Sequence, residues 1–364
     1  MTENNIIFLA DAFGYGPITT LLLIAEQLRK KTNAKFIFIG PKLCVNYLNK
    51  SNIFDQIIEA EYTEDLIRKH KKTFINALKI IAVETTDILI NLINNFQLNN
   101  IYLIDNLFWM WDFLEPELKK LNRYYISNVI DCSSNKKRIA KDFNNIVEVG
   151  CLRKLNKFHS VTNENIIISL GGVESYMFDD QIVKNTYLNS IKTILNNKNI
   201  KKFKKIYIAG GTNIIEYIKK NINGNNIIID SFSNNDYLKI LHNCSHAIMS
   251  PGLGNFNEII STDIKCMFLL PINYSQYLQR VEFEKLNIGF HFQKNINEKQ
   301  IEKYLDEKKG VNQVIENLYT YNSENFENEL NLYFDSDNNM LERLKFYKKI
   351  NKNGIEKICE DIME

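Results

Sequence analysis

The amino-acid sequence predicts an α/β protein made of two parallel β-sheets that helices cover on both faces. Its short apolar runs are continuous rather than alternating, which is typical of strands buried on both faces. Amphipathic stretches with helical spacing separate these runs. A polar segment at residues 153–165 interrupts the series, and the pattern then starts again. The 364 residues are therefore expected to form two domains of average size.

The first series of apolar runs begins close to the amino terminus. Its strand candidates are NIIFLA (5–10), KFIFIG (35–40), NIYLID (100–105), RYYISNVID (123–131) and NIVEVG (145–150). Between the first two, TTLLLIAEQLRKK has apolar residues at helical spacing and its cations at the far end, where they suit a helix carboxyl terminus. This half is predicted to be one doubly wound domain.

The second series follows the polar segment. Its strand candidates are IIISLGG (166–172), KIYIAGG (205–211), NIIIDSF (226–232), HAIMS (246–250) and KCMFLLP (265–271). The segment 324–364 is predicted to be helical, because its apolar residues recur every three to four positions. Two consecutive series of this kind indicate two Rossmann-like domains with a cleft between them, where ligands bind beyond the carboxyl ends of the strands.

Composition excludes several classes of protein. The 45 Lys and Arg residues against 43 Asp and Glu leave a net charge of +2, which does not predict a nucleic-acid partner. The six cysteines form no CxxC pair and fit a reduced, cytoplasmic protein. The amino-terminal segment has no signal-peptide pattern, and no apolar run is long enough to cross a membrane.

Glycine pairs follow the strand candidates at the positions where ligands are expected. They are Gly14 and Gly16, Gly171 and Gly172, Gly210 and Gly211, and Gly252 and Gly254. Glycines in a turn between a strand and a helix let backbone amides approach an anion closely. The stretch SPGLGNFNE (250–258) is therefore predicted to hold a diphosphate, with Glu258 accepting hydrogen bonds from a ribose; a simple tight turn is the alternative.

These motifs resemble a known family. The succession ISLGG, YIAGGTN, DSFSNNDYLKILHNCSHAIMSPGLGNFNEII and LLPINYSQYLQ is similar to the donor half of GT-B glycosyltransferases over residues 166–290. SPGL, PINYSQYLQ, FGYGP and DNLFWMW also look similar to the cytosylglucuronate synthases of nucleoside-antibiotic pathways. The resemblance implies an acceptor domain over 1–155, onto which the C-terminal helix 346–364 packs, and a nucleotide-sugar domain over 160–345.

The resemblance also implies the site residues. Those expected to bind the donor are Gly14, Ser169, Gly171, Gly172, Gly210, Gly211, Phe232, Ser250, Gly252, Leu253, Gly254, Glu258, Ser275, Gln276 and Arg280. Those expected to bind the acceptor are Phe13, Tyr15, Gly16, Trp109 and Trp111. Arg280 is the candidate cation for the carboxylate of a glucuronyl donor, with a solvated helix face as its alternative. The tryptophans are candidates for a stacking wall, with burial in the core as their alternative.

The general base departs from the family pattern. Many inverting GT-B enzymes have a histidine in the first glycine loop, but this chain has Tyr15 between its glycines. Asp11 and Asp105, which both end strand candidates, are the two candidates for the base, and ordinary turn or capping aspartates are the alternative. A ring-nitrogen acceptor such as cytosine needs less help from a base than an alcohol does.

The functional prediction is transfer of a sugar from a UDP-sugar to a small acceptor, with inversion and without a metal. UDP-glucuronate and cytosine, or a related nucleobase, are the substrates expected first, and no cofactor is expected besides the UDP-sugar. His242 and His246 have helical i, i+4 spacing, but no HExxH motif supports a metal site. The alternatives are a nucleotide-sugar epimerase of the same fold and a non-catalytic UDP-sugar-binding subunit. A homodimer is left open.

Overall fold

The computed structural model describes residues 4–49, 51–153, 155, 164–172, 180–290, 301, 307–319, 323–337, 340–350 and 353–364. The predicted linker lies mostly outside these residues. The chain divides into two compact units. The first unit contains Met1–Lys154 and Ile350–Glu364, and the second contains Leu155–Lys349.

The first unit is built around a parallel sheet of seven strands. The strands are β1 (Asn5–Ala10), β2 (Lys35–Gly40), β3 (Gln56–Glu59), β4 (Ala77–Val83), β5 (Ile101–Asp105), β6 (Arg123–Ser127) and β7 (Ile146–Val149). The α-helices are α1 (Gly16–Arg29), α2 (Lys42–Leu48), α3 (Glu64–Lys69), α4 (Lys71–Ile75), α5 (Asp87–Phe96) and α6 (Ser133–Ile139). Short 3₁₀ helices cover Phe108–Met110 and Pro116–Lys120.

Strand order places a switch point in the middle of this sheet. The order is β3-β2-β1-β4-β5-β6-β7, so the chain builds outward from β1 first to one side and then to the other. Every residue of β1 is buried, as expected for a strand with helices on both faces. Open parallel sheets bind ligands beyond the carboxyl ends of the strands at such a point, here between β1 and β4.

The second unit is also built around a parallel sheet, here of five strands. They are β8 (Asn165–Ser169), β9 (Lys205–Ala209), β10 (Ile227–Asp230), β11 (His246–Met249) and β12 (Lys265–Phe268), in the order β10-β9-β8-β11-β12. The α-helices are α7 (Asp180–Asn196), α8 (Thr212–Lys219), α9 (Asn234–Leu241), α10 (Leu253–Ile259), α11 (Tyr274–Lys285), α12 (Glu307–Tyr319), α13 (Ser323–Asp335) and α14 (Met340–Lys349). The switch point lies between β8 and β11.

The last helix, α15 (Gly354–Met363), packs in the first unit, where Ile355, Ile358 and Ile362 join the core. It begins later than the predicted returning segment, since residues up to Lys349 lie in the second unit. Ten of the described strands were predicted from the sequence, whereas β3 and β4 were not. None of the described helices is both long enough and apolar enough to span a bilayer.

Candidate functional site

Carboxylates follow three neighbouring strands of the first unit. Asp11 follows β1, Glu84 follows β4, and Asp105 is the last residue of β5. Ala10 pairs with Val83 in the sheet, so Asp11 and Glu84 come next to each other at the switch point. The Asp11 N–H donates to the carbonyl of Val83 at 3.1 Å, which fixes the position of the loop that follows β1.

Asp105 is held inside the protein by other elements. Only 3% of it is exposed. Its carboxylate accepts three hydrogen bonds, from the N–H of Leu107 at 2.6 Å, Nε1 of Trp111 at 2.8 Å and the hydroxyl of Tyr124 at 2.7 Å. Burial raises the pKa of Asp105, and these hydrogen bonds oppose the rise. With both oxygens already bonded, Asp105 is less suited than Asp11 to the predicted role of base.

Asp11 has a more open carboxylate. It is half-buried, and Oδ1 accepts the N–H of Ala12 at 2.7 Å. Burial raises the pKa of Asp11 to about 6, while the hydrogen bond from Ala12 opposes the rise and the charge of Asp87 adds to it. Such a carboxylate is mostly ionised at pH 7 and can still take a proton.

Glu84 was not predicted from the sequence. This residue is half-buried and has a left-handed backbone, with φ at 56°. Burial raises the pKa of Glu84 to about 8, and the charge of Asp105 adds to the rise. Oε1 accepts a hydrogen bond from Nδ2 of Asn106 at 2.8 Å. The run KIIAVE, in which a carboxylate directly follows an apolar stretch, was the signal that could have found it.

The residues predicted to bind the acceptor differ in their burial. Phe13 and Tyr15 are half-buried in the loop before α1, and the Tyr15 ring lies 5.4 Å from that of Tyr47. Trp109 is 1% exposed and therefore belongs to the core, which does not agree with a stacking wall. Nε1 of the Trp111 indole donates a hydrogen bond to the Asp105 carboxylate.

A polar network at the carboxyl ends of β8 and β11 holds the predicted donor loops of the second unit. Nδ2 of Asn255 donates to both the carbonyl and Oγ of Ser250 at 3.0 Å. Its Oδ1 accepts from Tyr237 at 3.1 Å and from Ser169 at 3.3 Å. Gly171 has φ at 68°, and a Cβ there would lie 2.8 Å from Oγ of Ser250. This glycine is therefore required by the fold itself.

The glycines of SPGLGNFNE have a different character. A Cβ on Gly252 or Gly254 would meet no atom of the described residues within 4 Å, and neither has a positive φ. The N–H of Leu253 donates to Oε1 of Gln279 at 2.9 Å. The next two N–H groups, of Gly254 and Asn255, have no acceptor among the described residues, as expected in a first helical turn. Two backbone donors are thus left without an acceptor among the described residues.

The other predicted donor residues have mixed environments. Gly210 is packed, since a Cβ there would lie 3.0 Å from Ile214, while Gly211 caps α8. Ser275 donates to Oδ1 of Asn273, and Oε1 of Gln276 accepts from Ile272 N–H at 3.1 Å. The remaining donor residues that are half-buried are Gly14, Gly172, Phe232, Leu253 and Glu258. Gly16, which was predicted to bind the acceptor, is exposed.

The sequence-based alternative for Arg280 is wrong, whereas the prediction that His246 begins a strand is confirmed. Arg280 is 4% exposed and its guanidinium lies 5.4 Å from the Tyr277 ring, so it is not on a solvated helix face. His246 lies in β11 and His242 follows α9, so the two do not share one helix. Burial lowers the pKa of His246 to about 4, with Lys202 and Lys265 contributing.

No family model matches the chain, and no curated protein matches it in sequence. Solved structures do match. They include MurG from Acinetobacter baumannii (TM-score 0.54, 10% identity, 99% of each chain). The spinosyn rhamnosyltransferase SpnG matches with TM-score 0.56 and 10% identity, over 98% of this chain and 100% of that chain. A variant of Os79 from O. sativa in complex with UDP matches with TM-score 0.59 and 9% identity, over 98% and 100%. The chain therefore has the GT-B fold of these glycosyltransferases.

Proposed function

We propose that this protein transfers a sugar from a pyrimidine nucleoside diphosphate sugar to a small acceptor. The observation that carries the proposal is that the N–H groups of Gly254 and Asn255 have no acceptor among the described residues, close to Gly252 and Gly254, whose missing side chains neither backbone nor packing explains. A diphosphate would accept from these donors. UDP in the Os79 structure and thymidine diphosphate in a SpnG structure support the nucleotide class.

The proposed reaction is a single displacement with inversion, without a metal. The acceptor's nucleophilic atom forms a bond to the anomeric carbon, and the bond from that carbon to the diphosphate oxygen breaks. The backbone amides stabilise the negative charge that the leaving diphosphate gains. The proton of the nucleophile passes to Asp11, which has an open carboxyl oxygen, whereas Asp105 has none.

UDP-glucuronate and cytosine, or a related nucleobase, are the substrates that we propose to test first. Arg280, which is buried beside Tyr277, is the proposed partner of the glucuronate carboxylate. Epimerisation of a UDP-sugar and silent binding of a UDP-sugar are the competing functions.

One experiment separates these functions. The protein is titrated with UDP by calorimetry, and is then incubated with UDP-sugars with and without cytosine and analysed by mass spectrometry. The proposal expects UDP binding and a product that has gained the sugar mass only when the acceptor is present. A rearranged UDP-sugar without acceptor would indicate an epimerase. Binding without any product would indicate a silent subunit, and no UDP binding would refute the donor assignment.

A further inference from the structure

Glu84 is the open carboxyl that the proposed reaction does not yet use. Its left-handed backbone is unusual for a residue that directly follows a strand. Among the described residues, Gln97 and Asn287 share that conformation, but both lie at the ends of helices, where it is ordinary. Hydrogen bonds to both neighbouring strands hold this part of the chain. The N–H of Glu84 donates to the carbonyl of Ile104 at 3.0 Å, and the carbonyl of the preceding Val83 accepts from the N–H of Asp11 at 3.1 Å.

Glu84 and Asp11 are neighbours across two adjacent strands. Their preceding residues, Val83 and Ala10, are paired in register, and adjacent strands lie about 4.8 Å apart. Each carboxyl has one oxygen bonded within the protein, to Asn106 in one case and to Ala12 in the other. No other hydrogen bond reaches either carboxyl from the described part of the chain. Two adjacent, paired strands are therefore each followed at the switch point by a carboxyl group that keeps one oxygen without a hydrogen bond from the described residues.

The two environments favour opposite protonation states. Burial raises the pKa of Glu84 to about 8, with Asp105 and Asp11 adding to the rise and Arg153 opposing it. Burial raises the pKa of Asp11 only to about 6. Paired titratable groups whose environments separate their pKa values in this way take distinct acid and base roles. Asp11 is then ionised and Glu84 neutral at pH 7.

Other titratable groups also surround Asp11 and Glu84. Cys44 Sγ lies 3.4 Å from the backbone carbonyl of Asp11, and burial raises the pKa of that thiol to about 12. Burial also raises the pKa of Tyr62 well above its ordinary value. Asp87 and Asp105 add negative charge to the surroundings of Asp11 and Glu84 respectively, and Arg153 adds positive charge beside Glu84.

We propose that Glu84 and Asp11 bind one acceptor together, Glu84 as a neutral acid that donates a hydrogen bond and Asp11 as the carboxylate that takes the nucleophile's proton. This inference rests on the proposed glycosyl transfer. It specifies the acceptor class: a molecule whose N–H or O–H nucleophile adjoins an atom with a lone pair. A lactam edge has this pattern, and the N1–H and O2 of cytosine or uracil present it. The half-buried Tyr15 follows Asp11 in the same loop and offers a ring to a planar acceptor.

The pH dependence of turnover tests the proposal. The wild-type kcat/KM is expected to be bell-shaped, falling below about pH 6 as Asp11 is protonated and above about pH 8 as Glu84 ionises. Because Glu84→Gln keeps a neutral hydrogen-bond donor that cannot ionise, we expect the kcat/KM of this variant no longer to fall above about pH 8. At pH 7 its kcat/KM should be about threefold lower than that of the wild type. Glu84→Ala should lower kcat/KM by about thirtyfold, mainly through a higher KM. Loss of a hundredfold or more in Glu84→Gln would make Glu84 the base and overturn the proposal, as would an unchanged alkaline limb.

A second measurement tests the protonation state of Glu84 without requiring turnover. The ¹³C resonance of the Glu84 carboxyl, identified by its absence in Glu84→Gln, is followed through a pH titration of the full chain. We expect its midpoint above pH 7, and a midpoint below pH 6 would overturn the proposal even if no sugar is transferred. UDP calorimetry on the same samples reports the donor function separately, so failure of glycosyl transfer is distinguishable from failure of this inference.

Discussion

Replacing Gly254 by alanine should move folding stability and UDP affinity in opposite directions. Gly254 is the second residue of α10, its φ is not positive, and a Cβ there meets no atom of the part of the chain that the structure describes within 4 Å. Alanine costs less conformational entropy in a helix than glycine, so Gly254→Ala should raise the free energy of unfolding by about 0.5 kcal/mol. The added methyl would, however, occupy space beside the N–H groups proposed to hold the diphosphate.

The loss of affinity can be estimated from the donors involved. A hydrogen bond to a charged group contributes about 1.5–3 kcal/mol, so displacing the diphosphate from one N–H should weaken UDP binding by about tenfold or more. Thermal unfolding of the unliganded protein and UDP calorimetry measure the two effects. Gly16→Ala is the matched control, because its Cβ also meets open space at a helix start but lies in the first unit.

Gly171→Ala supplies the opposite comparison. Its φ of 68° and the 2.8 Å approach to Oγ of Ser250 should make it destabilising by about 1–2 kcal/mol or more. UDP binding by Gly254→Ala within twofold of wild type would contradict the diphosphate site at α10. The same conclusion would follow if Gly16→Ala weakened UDP binding as much as Gly254→Ala does.

Three further outcomes are expected. Glu258→Ala should weaken UDP binding and leave the unliganded protein folded, and equal affinity by calorimetry would remove Glu258 from the ribose site. Activity should survive EDTA, because backbone amides are proposed to hold the diphosphate; a loss that magnesium or manganese restores would contradict this. Asp105→Asn should lower the melting temperature, at a cost of about 2–4 kcal/mol, because its amide N–H₂ would face groups that donate to the carboxylate, such as the Tyr124 hydroxyl. An unchanged melting temperature would show that the Asp105 network is not structural.

Burial patterns explain which strands could be predicted from the sequence. Strands such as β1 and β8 are continuous apolar runs, and the sheet buries them on both faces. The missed β4 contains Lys79, which interrupts its run. The Lys79 ammonium lies 5.4 Å from the Tyr102 ring and bonds the carbonyl of Ile362, contacts that only the folded chain creates. The other missed strand, β3, lies at the sheet edge with exposed polar residues at both ends.

The candidate site was predictable to a lesser extent. Glycine pairs and Asp11 could be placed because they follow recognisable strands, but Glu84 was lost together with β4. From the sequence, both Asp11 and Asp105 remained candidates for the base. Trp111 and Tyr124 distinguish them, since Tyr124 comes from the next strand and Trp111 from the loop that follows a 3₁₀ helix.

Three carboxyl groups at neighbouring strand ends therefore have different chemistry because different numbers of donors fold onto them. Asp105 accepts three hydrogen bonds and has no open oxygen, so its carboxyl organises the loop after β5. Asp11 and Glu84 each accept one, and burial without further donors raises their pKa values toward neutrality. A buried carboxyl that lacks donors costs stability, and such a cost is commonly retained where a proton must be exchanged. The shortage of donors, rather than the presence of carboxylates, is what distinguishes Asp11 and Glu84 as the pair suited to an acceptor's proton.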